Sequence, residues 1–484
     1  MRARLVATFV AMLLFPAGAS ADALPLTQVA QRTWNSMAAM VDTDSGLPAD
    51  VLNANGSTSI QTSTTNIGAY MWSAVAAQRL GFISQQELTA RLTRTITTLE
   101  RMERYGDTGQ FYNWYDHRDG SKLTYWPPSP NDVFHPILSS VDNGWLAVGL
   151  RIVQNSVPAL SKRARALYNA MNFGFYYRPD VNRVLFHYRP DDPAASPCCY
   201  DTVVSESRIV DYIGISRGQL PRKEYYGRWR SFPDTCDWNW QETRPIGVTR
   251  TYYDVPVFEG AYPYNGTLIT PSWGGSMFEA LMPDLFVPEE TWAPMSWGVN
   301  HPVTVDAQIH HGLVDAGYGV WGFSPSNTPE GGYGGYGVDA IGMDPNGSTS
   351  NEDHTTVDHG WNDPTCSRAA QPDPAPADYS NGVVTPHAAF LALRFAPDAT
   401  VADATALADR FRHMYGKWGF RDSVNVDTGT VSGSYLSLDQ GMIMASLGNY
   451  LGGDVLRKAF AGPDMERTLR PVIGIEQFGA SASP

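Results

Sequence analysis

The chain has 484 residues, 49 of them acidic and 35 basic, for a formal net charge of −14. Such a surplus argues against nucleic acid and anionic membranes as partners and suits a neutral ligand. Only 17% of residues are charged while 12% are aromatic, with 14 tryptophans, more rings than a core alone usually demands, so some are expected to face a ligand.

At the N-terminus, Arg2 and Arg4 precede an apolar run from Leu5 to Phe15 and then Ala19-Ser20-Ala21, the pattern of an export signal cut after Ala21. Residues 1–21 are therefore expected to be removed and 22–484 to form one domain outside the cytoplasm, extracellular or periplasmic. No other stretch approaches the ~20 apolar residues that a membrane helix needs. Apolar spacing at Ile67, Met71, Val75 and Leu80 predicts a helix from Ser63 to Leu80. Ser84-Gln85-Gln86-Glu87 reads as a capping box opening a second helix through Leu88, Leu92, Ile96, Leu99 and Met102. A similar pair follows at Val141–Val153 and from Ser161 to about Phe173. Further helices are expected at Ser205–Ser216, Ser276–Phe286, Pro302–Ala316, Thr385–Leu393, Ala402–Tyr415 and Asp439–Leu451. Paired helices recurring in this way close most naturally into an all-α fold, an (α/α)6 barrel or toroid. The Gly-, Pro- and Asn-rich stretch from Ala316 to Thr385 reads as long irregular loops over its cleft.

Carboxylates and aromatics gather where these helices begin, in Phe111-Tyr112-Asn113-Trp114-Tyr115-Asp116, Ser205-Glu206-Ser207-Arg208, Trp273-Gly274-Gly275-Ser276-Met277-Phe278-Glu279 and Leu438-Asp439-Gln440-Gly441. Loops of this kind suit a carbohydrate cleft, with aromatic faces stacking on sugar rings and paired carboxyl groups moving protons across a glycosidic bond. The four cysteines, Cys198, Cys199, Cys236 and Cys366, leave three pairings open. Bridges from the first two to the last two are preferred, because a bond between neighbours strains the peptide between them. A metal site finds no support. Asp353-His354 and Asp358-His359 match neither H-E-x-x-H nor an EF-hand, and a solvated loop is the simpler account.

Eight blocks in order carry a resemblance to a known family. They are Thr62 to Gly68, Phe111 to Asp116, Ser139 to Gly144, Tyr200-Asp201 with Ser205 to Arg208, Trp273 to Pro283, Val320 to Ser326, Tyr336 to Asp339, and Leu438 to Gly441. The chain resembles the glycoamylase-like family, related to bacterial endo-β-1,2-glucanases and to the cyclisation domain of cyclic β-1,2-glucan synthases. That resemblance implies an (α/α)6 barrel and metal-free, cofactor-free hydrolysis or transglycosylation of a β-glucan. It also implies Glu206 as general acid. The stretch from Tyr200 to Ser276 departs from the family pattern through an insertion around Cys236 to Phe258.

Glu279, Asp439 and Asp142 are the expected partners of Glu206, each open to a second account as a helix-start carboxylate. Arg208 offers Glu206 the structural role of an ion pair. Tyr112, Trp114, Asp116, Trp273, Trp321, Phe323, Tyr336 and Asp339 are candidates for sugar subsites, with core packing as the alternative for each ring. The expectation is a monomeric enzyme acting on a polysaccharide or oligosaccharide without nucleic acid. Transfer rather than hydrolysis, another envelope polysaccharide, or carbohydrate binding without catalysis are the alternatives.

Overall fold

The computed structural model describes residues 23–233, 244–343 and 379–481. The expected signal segment, Cys236, Cys366 and the two Asp-His pairs lie outside them. In chain order the helices are α1 (Leu26–Ala39), α2 (Thr64–Arg79), α3 (Gln85–Leu99), α4 (Ser140–Ser156), α5 (Ser161–Ala170), α6 (Arg208–Ser216), α7 (Met277–Leu281), α8 (Glu289–Trp292), α9 (Trp297–His310), α10 (Pro386–Leu391), α11 (Pro397–Arg410), α12 (Ser437–Gly452), α13 (Val455–Phe460) and α14 (Pro463–Ile473).

Two kinds of helix alternate. α3 buries only the stripe of Leu88, Leu92, Thr95, Ile96, Thr98 and Leu99, the mark of a helix with one wet face. By contrast α2 is buried continuously from Thr64 to Ala77, and α4 and α12 are nearly as enclosed. A helix apolar on every side belongs inside. Small residues let these inner helices touch: a Cβ on Gly68 of α2 would lie 2.4 Å from the Trp145 carbonyl of α4, and one on Gly149 would lie 2.8 Å from Gly68 Cα.

The inner helices form a closed ring. α2 packs on α4, α4 on α6, α7 on α10, α10 on α12 and α12 back on α2. The Arg208 side chain of α6 donates to the Glu279 and Ala280 carbonyls of α7, both at 2.7 Å, and completes the circle. Outside it, α1 covers α2 and α12, α3 covers α2, α5 covers α4, α9 covers α7 and α11 covers α10. Among the described residues no α-helix between α6 and α7 in the sequence covers α6; α14 does. The fold is the expected (α/α)6 toroid.

Some boundaries differ from expectation. α9 begins at Trp297 and carries Pro302 inside it, where the proline suggested a start. α11 begins at Pro397, and α7 ends at Leu281 ahead of Pro283, which cannot continue it. The helical fold also carries a small sheet outside the ring. The insertion before α7 contains an antiparallel sheet of β1 (Ile246–Tyr252), β2 (Val255–Tyr264) and β3 (Thr267–Ile269), with β2 central. No helix among the described residues is long and apolar enough to cross a membrane.

Candidate active site

At one end of the ring the inner helices present an amide and three acidic side chains in a repeated way. Asn66, Asp142, Glu279 and Asp439 each occupy the third position of α2, α4, α7 and α12. In three of these, the backbone N–H of that residue donates to a serine three places earlier: Asn66 to Ser63 Oγ at 3.1 Å, Asp142 to Ser139 Oγ at 3.2 Å and Glu279 to Ser276 Oγ at 3.3 Å. The serine fixes the turn, and the positive end of the helix favours a carboxylate there. Asp439 is thus a first-turn residue of α12, not its cap as one account of the sequence had it.

Glu206 and Glu279 stand on one wall. Glu206 lies just ahead of α6, and its backbone N–H donates to Glu279 Oε2 at 2.6 Å. Its own Oε2 accepts from the indole N–H of Trp145 at 2.5 Å, and the residue stays half open to the cleft. Burial first, then the Glu279 charge, pushes Glu206 well above the ordinary carboxylate range; the Trp145 bond opposes this only in part. Burial also lifts Glu279 to about 7, against the bonds from Glu206 N–H and Ser205.

Arg208 is not the ion-pair partner of Glu206. Its guanidinium grips both Glu289 oxygens at 2.6 and 2.9 Å, bonds the carbonyls of Ser205, Glu279 and Ala280, and lies over Trp297. All its donors are used away from the cleft. The arginine ties together the backbones that carry Glu206 and Glu279 and leaves their carboxyl groups unneutralised.

A second carboxyl pair, Asp422 and Asp439, is joined by a side-chain hydrogen bond. Burial raises Asp439 to about 8 and, with the Asp439 charge, raises Asp422 well above the ordinary carboxylate range. Two acids so placed do not both ionise near neutrality, and the pair is set to share a proton. His387 Nδ1 lies 3.0 Å from Asp439 Oδ2, and burial lowers this imidazole to about 4, so it is neutral. Asp422 Oδ2 accepts from Asn327 N–H at 2.8 Å.

Asp142 and Asp50 complete the rim. Asp142 accepts from Thr65 Oγ1 at 2.6 Å and, with the Asn113 amide turned to suit both neighbours, from its nitrogen at 3.0 Å. Asp50 accepts from Asn66 at 2.8 Å and feels the Asp142 charge. Burial raises both. No local pattern marks Asp50, Asp422 or His387. Trp145 was findable, three residues after Asp142 on the same helix face.

The aromatic candidates divide. Trp273 is half-buried beside Phe186 and Tyr200, with ring centres at 5.9 and 6.1 Å, and Tyr200 feels the charges of Glu206, Asp142 and Glu279. Trp114 is half-buried and edge-on to the exposed Trp126 at 5.1 Å; Trp126 was missed. Trp321 and Phe323 are core residues, 1% and 0% exposed, and cannot stack on a sugar. The face of Tyr112 is covered by Lys122 at 4.1 Å, and Asp116 is held by Arg118, which keeps its carboxyl below its ordinary value against the cost of burial. Tyr336 is buried beneath Gly334, and Asp339 is half-buried at the start of a short 3-10 turn. Their loop meets the other glycine loop backbone to backbone: a Cβ on Gly337 would strike the Gly274 carbonyl, and one on Gly275 the Val338 carbonyl.

Cys198 and Cys199 are bonded to each other, correcting the expected bridges to Cys236 and Cys366. The peptide between them is cis and brings their Cα atoms to 3.1 Å, within reach of one another. Among the described residues one set could hold a metal, Asp284, Glu289 and His301. Arg208 already grips Glu289 and Arg457 already pairs with Asp284, so cations of the protein's own fill that role.

With this toroid and its rim of carboxyl groups, the chain is similar over part of its length to the glycoamylase-like family. The glycoamylase model (“Putative glucoamylase”) matches residues 247–461, and a model of a protein family of unknown function, DUF3131, matches residues 28–175. Cyclic β-(1,2)-glucan synthase NdvB of Rhizobium meliloti is 23% identical over 584 residues, covering 91% of this chain. Exo β-1,2-glucooligosaccharide sophorohydrolase of Parabacteroides distasonis is 26% identical over 151 residues, 30% of this chain. The matched stretch is 18% of the length of each of these two relatives. Endo-β-1,2-glucanase from Chitinophaga pinensis, solved with sophorotriose and glucose, shares the fold with a TM-score of 0.66 at 17% identity, covering 93% of this chain and 99% of that one.

Proposed function

We propose that the chain hydrolyses a β-linked glucan, β-1,2-glucan first among them. Glu206 is the general acid and Asp439 the base. The observation that carries this is the Glu206 carboxyl, half open to the cleft, hydrogen-bonded to Trp145 and held protonated by burial and by Glu279. A general acid needs its pKa raised toward neutrality, and burial and Glu279 both push Glu206 in that direction. Glu279 is bonded to the Glu206 backbone on the same wall, so it supports the acid rather than flanking the sugar opposite it.

In the proposed step Glu206 gives its proton to the glycosidic oxygen as the C1–O bond breaks. Water adds to C1 and loses a proton to Asp439 in its ionised form, the form that gains as pH rises toward about 8. An acid and a base on different elements suit a water held between them and inversion at C1. The relatives named for β-1,2-glucans support the substrate, and the Arg2-to-Ala21 pattern supports export.

The test is incubation of the mature protein and its Glu206→Gln variant with β-1,2-glucan and other glucans, following reducing ends, oligosaccharide profile and the first-formed anomer. Glu206-dependent cleavage confined to β-1,2-glucan is expected. Cyclic or longer products would turn the assignment to transfer, and equal activity in Glu206→Gln would remove Glu206 as the acid.

A further inference from the structure

The glycine-rich run around residues 331–337 has a place in this cleft that neither the motif nor the two carboxyl pairs explain. Ser326–Asn327 pairs antiparallel with Tyr333–Gly334, and Tyr333 stands opposite Asn327 in the register. Asn327 is tied to the catalytic rim three times over. Its N–H donates to Asp422 Oδ2, its side-chain amide donates to Ser434 Oγ at 3.0 Å, and its carbonyl accepts from Ser423 Oγ. The hairpin is therefore fastened to the Asp422 wall, and Tyr333 is carried on the strand beside it.

Tyr333 is 60% exposed, against 6% for Tyr336 three residues on. It is no core residue. The groups that act on its phenol are, after burial, Asp439, Glu206, Asp422 and Glu279, all of which raise it. Those four carboxyl groups belong to the two separate pairs. An exposed side chain on a strand fastened to the Asp422 wall, within reach of the charges of both pairs, faces the cleft between them.

We propose that Tyr333 is a substrate-contacting residue, which lays its ring against the glucosyl unit at the scissile linkage and hydrogen-bonds that unit through its phenol. A phenol that keeps its proton can both donate and accept, whereas the ionised members of the surrounding pairs only accept. Its ring supplies the apolar face that a sugar stacks on, and the hairpin's anchorage to Asp422 sets that face against the proposed base. The proposal rests on the hydrolase assignment above.

The test compares Tyr333→Phe and Tyr333→Ala with the parent on β-1,2-glucan, measuring kcat and KM separately, with thermal unfolding as a control on folding. Losing the hydroxyl alone is expected to lower kcat by about tenfold with little change in KM, and losing the ring as well to raise KM by about tenfold. As an exposed residue Tyr333 should leave the melting temperature of both variants near the parent's. Variants within about twofold of an active parent in both parameters overturn the proposal alone. A parent that leaves β-1,2-glucan intact overturns the glucan assignment and this proposal with it.

Discussion

Buried acids occur in two regions of this protein and have opposite fates. Behind α6, Glu289 is gripped by Arg208, Asp211 by Arg228 and Glu476 by Arg230, all fully buried. At the mouth of the ring, Glu279, Asp422 and Asp439 are buried and Glu206 half-buried, yet no arginine among the described residues forms an ion pair with them. The same burial gives an ion pair where a guanidinium is at hand and a proton carrier where none is. The distribution of arginine, rather than that of carboxylate, separates scaffold from chemistry here.

The contrast breaks most visibly at Glu206. Glu206→Gln should lower kcat by about 10²–10⁴-fold while leaving the fold intact, because only a proton donor is lost; rates on β-1,2-glucan and circular dichroism check both halves. Arg208→Met should do the reverse kind of damage. It leaves Glu289 buried without its cation and should cost about 3–5 kcal/mol in urea unfolding, with activity lost as the backbones of Ser205, Glu279 and Ala280 come loose.

The two regions should also pull the pH dependence of stability in opposite directions. Glu289 is lowered to about 2, chiefly by Arg208 against the cost of burial; its contribution is full above about pH 4.5 and is lost as pH falls through about 2. Asp439 and Glu279 are raised to about 8 and about 7 by burial. The folded chain then holds protons that the unfolded chain releases above about pH 4, so these groups cost stability increasingly from there to about pH 8. Asp439→Asn should abolish turnover yet gain about 0.5–2 kcal/mol at pH 8, with a smaller gain at pH 5. Urea midpoints at the two pH values read this, and a variant weaker than the parent at both would contradict it. The smallest effect is expected at the aromatic wall: Trp273→Ala should raise KM by about tenfold or less, consistent with ~1 kcal/mol for one stacking face.

Much of this was legible in the sequence, and the residues show why. The inner helices announced themselves because Ser63, Ser139 and Ser276 cap them, and because runs such as 64–77 carry no charged residue and few polar ones. Glu206, Glu279, Asp142 and Asp439 were found since each sits at a helix start that a local pattern marks. Asp422 and Asp50 lie in loops, and only the closure of the ring brings them to the rim. Trp321 and Phe323 lie in a stretch that resembles the family as well as Trp273 does, but burial is decided by packing from α11 and α9: the Trp321 N–H is taken by Asp403 and that of Phe323 by Gln308. The strands β1 to β3 and helix α14 carried signals too short or too polar to stand out.

The ring is closed by a seam between α2 and α12. There the indole N–H of Trp72 donates to the Gly441 carbonyl at 2.9 Å across 369 residues of sequence, and Gly441 and Gly448 press on Ala69 and Ala76. α2 is therefore made early in synthesis and must wait, one flank uncovered, until its distant partner has emerged. Loop closure over such a span costs only logarithmically more than over a short one, so the burden falls on time rather than on final stability. The chain should fold slowly and late, and an incomplete copy should expose the small-residue flank of α2 to any neighbour able to bind it.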